Sequence, residues 1–184
     1  MTKRAFLIHG WEGSPKKQWF PWLQEQLEKS GFKVFVPAMP NTMHPKMSEW
    51  LQTLAKSIGK PDEECYFVGH SLGCVTILRY LETLKLKQKI GGVVFIAGFS
   101  DDLGFKELRN FFTKPIEWEK IIRHCKKFVA IHGDKDKWVP LKHAQIFAEK
   151  LNADVVIKPG SGHFGDLGMK VFPEALEFTL KMSE

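Results

Sequence analysis

Arginine is scarce in this chain. Among 27 Lys+Arg residues only Arg4, Arg79, Arg109 and Arg123 are arginines, and they are scattered. The net charge of +6 is therefore carried by lysine, and the only adjacent lysine pairs are Lys16-Lys17 and Lys126-Lys127. No basic stripe interleaved with aromatics appears, so a nucleic-acid footprint is not expected and the lysines read as a solvated surface. Cysteine is equally sparse. Cys65, Cys74 and Cys125 are odd in number and lack ligand or redox spacing, which argues against a disulfide framework and fits a reducing, cytoplasmic setting. Long apolar runs are missing too. The longest, Gly91 to Phe99, is far too short to span a bilayer. After the basic Met1-Thr2-Lys3-Arg4 only Ala5-Phe6-Leu7-Ile8 follows, too short for a signal peptide, so no membrane partner is expected. There is no Gly-rich phosphate loop and no cluster of metal ligands, and neither a cofactor nor a metal is expected.

What the chain does contain is alternation. Apolar runs at Ala5–His9, Lys33–Ala38, Tyr66–Gly69, Gly92–Ala97, Lys127–His132 and Asp154–Lys158 lack period-2 patterning, which predicts strands buried on both faces. Between them, Phe20, Leu23 and Leu27 share a helical face, as do Met47, Leu51, Leu54 and Ile58, and Ala144, Phe147, Ala148 and Leu151. A last helix is predicted from about Phe172 to Lys181. Strand–helix alternation implies an α/β fold, a three-layer α/β/α arrangement around a mostly parallel sheet of about six strands. At 184 residues the chain reads as one domain. From Ser100 to Cys125 the alternation lapses, which predicts a short cap-like insertion at about 100–126 rather than a second domain.

The chemistry begins at Gly69-His70-Ser71-Leu72-Gly73. A β-prone run precedes it, and Val75, Ile77, Leu78, Leu81 and Leu84 continue behind it as an apolar helix. Strand, tight turn bearing a serine, then helix is the context of a nucleophile elbow, with glycines permitting close strand–helix approach. In an open α/β sheet, ligands sit outside the carboxyl ends of the strands, so acid and base are sought on loops after later strands. Gly133-Asp134-Lys135-Asp136 follows the fifth run, and Gly160-Ser161-Gly162-His163-Phe164 follows the sixth. Both carry the required residue type in the order Ser, Asp, His. Ser71 is expected as nucleophile, His163 as the base that takes its proton, and a carboxylate as the group that orients the imidazole. Asp136 is the stronger candidate for the acid. Asp134, immediately after the strand end, suits turn hydrogen bonding, and its substitution for Asp136 stays open. His70 and His132 read as structural residues, and His44, His124 and His143 have no argument for facing the elbow. The backbone N–H groups of Leu72 and Trp11 are the candidate oxyanion donors. Cys65 and Cys74 read as small core residues. Phe99, Trp138 and Phe164 are candidate substrate contacts, with Trp11, Phe111, Phe112 and Trp118 as further rings for an apolar pocket.

These residues resemble the α/β-hydrolase superfamily in its compact form. They are most similar to the small serine hydrolases grouped with retinoblastoma-binding protein 9 and its bacterial relatives. The resemblance covers nearly the whole chain through His9-Gly10, Trp19-Phe20-Pro21-Trp22-Leu23, Pro40-Asn41, Pro45, Trp50-Leu51, the Gly69–Gly73 elbow, Asp136 and Gly162-His163-Phe164. It implies a sheet without the first antiparallel strands of larger relatives, and hydrolysis of small carboxylic esters. A retinoblastoma-type partner is not implied. The Leu-x-Cys-x-Glu motif needs Glu at position 76, where Leu72-Gly73-Cys74-Val75 is followed by Thr76.

The sequence therefore predicts a serine hydrolase of esterase type, acting on a small-molecule acyl substrate through an acyl-enzyme. The alternatives are a binding protein of weak turnover on the same fold, or a thioesterase or amidase. Substrate identity, acyl chain length and oligomeric state lie beyond these patterns.

Overall fold

The computed structural model describes residues 2–165 and 168–184. Six strands form one sheet: β1 (Arg4–Ile8), β2 (Lys33–Phe35), β3 (Cys65–His70), β4 (Gly92–Ile96), β5 (Phe128–Gly133) and β6 (Asp154–Lys158). Their order is β2-β1-β3-β4-β5-β6, and every neighbouring pair is parallel. The fold is an α/β-hydrolase fold, as the resemblance implied.

The strands read as continuous apolar runs because both faces of the sheet are covered. Alternate side chains feed two separate cores. Phe6, Ile8, Phe67, Val93, Phe95 and Ala130 enter one, while Ala5, Leu7, Val68, Val94, Ile96 and Ile131 enter the other. The first core is closed by α2 (Met47–Ile58), α3 (Leu72–Leu81), α4 (Trp118–His124) and α5 (Lys142–Leu151). The second is closed by α1 (Phe20–Lys29) and α6 (Pro173–Met182). In α2 the buried face is Trp50, Leu54 and Ile58. Trp50 takes the central place that periodicity gave to Leu51, because its indole N–H can donate to the Pro40 carbonyl at 2.8 Å while the ring stays dry.

Two strands depart from the expected burial on both faces. β2 ends at Phe35, short of the predicted Ala38, just before Pro37, which has no N–H for a ladder. β6 is an edge strand, with Val155 and Ile157 exposed, because nothing pairs beyond it among the described residues. Between β4 and β5 there is no strand, as the lapse in alternation predicted. A 3₁₀ turn at Lys106–Phe111 precedes α4 there. Arg79 on α3 is buried beneath this segment. Its guanidinium donates to the carbonyls of Phe111, Lys114 and Pro115, at 2.8, 2.6 and 3.2 Å, and to the Glu82 carboxylate at 2.9 Å. Among the described residues no helix is long and apolar enough to cross a membrane.

Candidate active site

Ser71 stands between β3 and α3 with φ 54° and ψ −120°, a backbone region that costs roughly 1–3 kcal/mol for a residue with a side chain. The glycines around it make the turn possible. A Cβ on Gly73 would fall 2.1 Å from the Ile8 carbonyl oxygen, and one on Gly69 would fall 2.8 Å from the Cys74 nitrogen. Gly10, on the loop after β1, lies so close that a Cβ there would meet the Ser71 Cβ at 2.9 Å.

The loops after β5 and β6 bring their side chains to this serine. Ser71 Oγ lies 2.9 Å from His163 Nε2, and His163 Nδ1 lies 2.7 Å from Asp136 Oδ2. A carboxylate only accepts, so Nδ1 carries the proton, and Nε2 is left as the acceptor for the serine hydroxyl. The other carboxylate oxygen of Asp136 accepts from the N–H groups of Trp138 and Val139, at 2.9 and 3.0 Å. Burial alone would raise the Asp136 carboxyl, but the His163 and backbone hydrogen bonds more than offset it and hold it below the usual carboxylate range. Asp134 turns elsewhere, accepting from the Gly160 N–H at 2.6 Å. The loops that carry Asp136 and His163 are themselves in close contact: a Cβ on Gly133 would fall 2.2 Å from the Ser161 carbonyl oxygen.

A cavity of about 450 Å³ opens over Ser71. Trp11, Phe99, Leu103, Phe105, Leu108, Trp138 and Val139 supply its apolar lining, and Glu12, Lys17, Gln18, His70 and His163 its polar lining. Leu72, the first residue of α3, also lines it, where helix N–H groups have no intrahelical acceptor and the dipole is positive. Trp11, on the loop after β1, lines the same cavity. Glu12 next to it has a left-handed φ of 57°.

Not every predicted contact lies here. Phe164 is corrected: its ring is buried against Phe172, with centroids 5.0 Å apart, because the chain turns at its left-handed φ of 57° and drives the ring inward. Phe111 packs on Trp50 within the core, and Trp118, half-buried, packs on Phe147 at the core's edge. Phe105, Leu103 and Leu108 were missed because they come from a segment without periodicity. Cys65 and Cys74 are buried, as expected, and burial pushes both thiols up.

The remaining histidines divide clearly. His9 donates from Nδ1 to the Gly10 carbonyl and accepts the Met39 N–H at Nε2, each at 3.0 Å. It thereby ties the loop after β1 to the chain beyond β2, which gives the His9-Gly10 and Pro40-Asn41 landmarks a physical role. His70 is held by one ring nitrogen, its Nε2 lying 2.8 Å from the His163 carbonyl oxygen. His132 is buried, and neither ring nitrogen has a partner among the described residues. A second Ser–His–Asp grouping joins the loop after β4 to α5. His143 Nδ1 lies 3.1 Å from Ser100 Oγ and 3.2 Å from the Ser100 N–H, and its Nε2 lies 3.7 Å from Asp101. His143 is fully buried, and none of the three residues lines the cavity. Among the described residues no three His, Cys, Asp or Glu side chains gather as a metal ion would require.

A family model described as serine hydrolase matches residues 5–178. YdeN of Bacillus subtilis (strain 168) is 34% identical over 165 residues, covering 89% of this chain and 87% of that protein. The serine hydrolase RBBP9 of Rattus norvegicus is 28% identical over 149 residues, covering 79% and 77%. In three dimensions, the crystal structure of the B. subtilis ydeN gene product superposes with a TM-score of 0.93 at 32% identity, covering 98% of each chain. Est1E from Butyrivibrio proteoclasticus, with ferulic acid bound, superposes with a TM-score of 0.78 at 18% identity, covering 98% of this chain and 89% of that one. At that identity the likeness speaks to fold alone.

Proposed function

The chain belongs to the serine hydrolase family, and on that premise we propose that it cleaves a small carboxylic ester or related acyl compound through Ser71, His163 and Asp136. The unbroken hydrogen-bond chain from Ser71 Oγ through the His163 ring to a buried carboxylate carries this reading. As Oγ attacks the acyl carbon, His163 Nε2 takes its proton, and Asp136 stabilises the imidazolium that forms. The N–H groups of Leu72 and Trp11 receive the developing oxyanion. The imidazolium then returns the proton to the departing alcohol, leaving an acyl-serine. Water, deprotonated by the same nitrogen, attacks this ester and releases the acid.

The Ser100–His143–Asp101 grouping lacks an opening to the cavity, and its histidine nitrogen already accepts a backbone N–H, so it is read as a tie between loop and helix. Residues 100–126 are read as a small cap within a single domain, giving the cavity one wall through Leu103, Phe105 and Leu108. Ferulic acid is bound to the fold relative Est1E, which supports a small acyl compound as substrate class.

A fluorophosphonate probe and p-nitrophenyl esters of increasing acyl length test the proposal. Wild type and Ser100→Ala should label and turn over alike, and Ser71→Ala should do neither. Labelling that persists in folded Ser71→Ala, or disappears in Ser100→Ala, overturns it. Thioester and amide panels of matched acyl length then define the bond cleaved.

A further inference from the structure

Three consecutive backbone carbonyls of the histidine loop are each held by a different side chain. The His163 oxygen accepts from His70 Nε2 at 2.8 Å. The Phe164 oxygen accepts from the indole N–H of Trp19 at 3.0 Å. The Gly165 oxygen accepts from the side-chain amide of Gln18. A loop ordinarily satisfies such groups with water, so this concentration of protein donors on three adjacent residues calls for a physical reason. The donors come from two places. Gln18 and Trp19 lead into α1, and His70 immediately precedes Ser71.

The packing around the three bonds is close. A Cβ on Gly165 would meet His70 Cε1 at 3.2 Å, Gln18 Nε2 at 3.4 Å and His163 Cδ2 at 3.7 Å. The Trp19 ring is wholly buried, stacked on Phe20 at 4.1 Å and edge-on to His70 at 5.9 Å. Gln18 itself sits at a left-handed φ of 58°, and Phe164 at 57°. Two strained residues thus face one another across the bonds, as happens where surrounding structure over-determines a conformation.

We propose that Gln18, Trp19 and His70 are positioning residues that clamp the His163 loop and hold its imidazole in line between Ser71 and Asp136. The inference rests on the reading of Ser71 and His163 given above. His70 has a double part. By donating from Nε2 it is fixed as one neutral tautomer, and a neutral ring 5.1 Å from His163 leaves the imidazolium free to form during the reaction. Burial and the nearby His163 push His70 down to about 3, so it remains neutral across the working range.

The test uses the full chain and p-nitrophenyl butyrate, with Ser71→Ala measured first. Gln18→Asn keeps a side chain tolerant of left-handed φ but shortens it by one methylene. Trp19→Phe keeps a ring and removes the N–H. His70→Gln retains an N–H at similar reach, and His70→Leu does not. Gln18→Asn and Trp19→Phe should each lower kcat about tenfold or more with KM within about twofold, since small misalignments of a reacting group are costly. His70→Gln should recover most of the kcat that His70→Leu loses. Circular dichroism and Tm identify the folded variants for which this comparison holds, and Gln18→Asn, at a half-buried site outside both cores, is the variant least dependent on core packing. Wild-type kcat in folded Gln18→Asn and Trp19→Phe, or equal losses in the two His70 variants, overturns the clamp. Activity that survives Ser71→Ala overturns the underlying assignment instead.

Discussion

His132 shows how a single residue can couple the fold to solution conditions. It is buried at the end of β5 beside Phe147, with neither ring nitrogen bonded. Burial, together with His143 and His163 nearby, lowers it to about 4. His70 is lowered to about 3, and His9 and His143 are also lowered, all chiefly by burial. The sign of the effect follows. Below their ordinary value near 6.5 these histidines take up protons in the unfolded chain before they do so in the folded one. Stability should therefore be fully present above about pH 7 and fall as pH drops from 6.5 toward 4. Asp136, held low by His163, adds a further loss only below the carboxylate range. His132→Phe should flatten the decline between pH 6.5 and 4, by up to about 3 kcal/mol at the acid end, in urea titrations at successive pH values. An unchanged slope would mean that His132 is hydrated and ionises freely in the native state.

At the scale of elements, the loops differ in what holds them. The segment between β4 and β5 has no ladder of its own and depends on Arg79, whose side chain is 6% exposed and paired with Glu82 at 11%. Arg79→Met would leave three carbonyls without their donor and a buried carboxylate without its charge partner. Removing one partner of such a pair costs about 3–5 kcal/mol. A Tm lower by about 10 °C is expected, with earlier proteolytic cutting between Phe105 and Glu117. A Tm within 2 °C of wild type would assign the segment's order to its apolar contacts. This arginine was invisible to sequence reading because its three acceptors are carbonyls over thirty residues away, a pattern that periodicity does not encode. The elbow was legible for the opposite reason. Its residues are contiguous, with Gly69 dictated by the Cys74 nitrogen five residues on, and the candidate acid and base follow from where strands end. Phe164 misled because its neighbour His163 faces the cavity, and only the backbone turn between them sends the aromatic ring inward.

For the molecule as a whole, the six strands were legible as apolar runs, while the exposure of β6 was not. Asp154–Lys158 has a buried-strand composition, yet its edge position depends on no seventh strand pairing with it among the described residues, a fact of global topology. Two cores on opposite faces of the sheet share every central strand, so loss of either removes support for both. The order of the sheet also has a consequence in time. The proposed nucleophile directly follows the third strand, but the proposed base follows the sixth and its loop is held by side chains near the first helix. A nascent chain emerging from its amino end can pair β1, β2 and β3 long before residue 163 exists. On the proposed reading, the site therefore cannot be complete before β6 and the loop after it have joined the sheet. On refolding from denaturant, ester hydrolysis should lag the far-ultraviolet circular dichroism signal. Simultaneous recovery would mean that the whole sheet closes in one step, with the late arrival of its final strand leaving no trace.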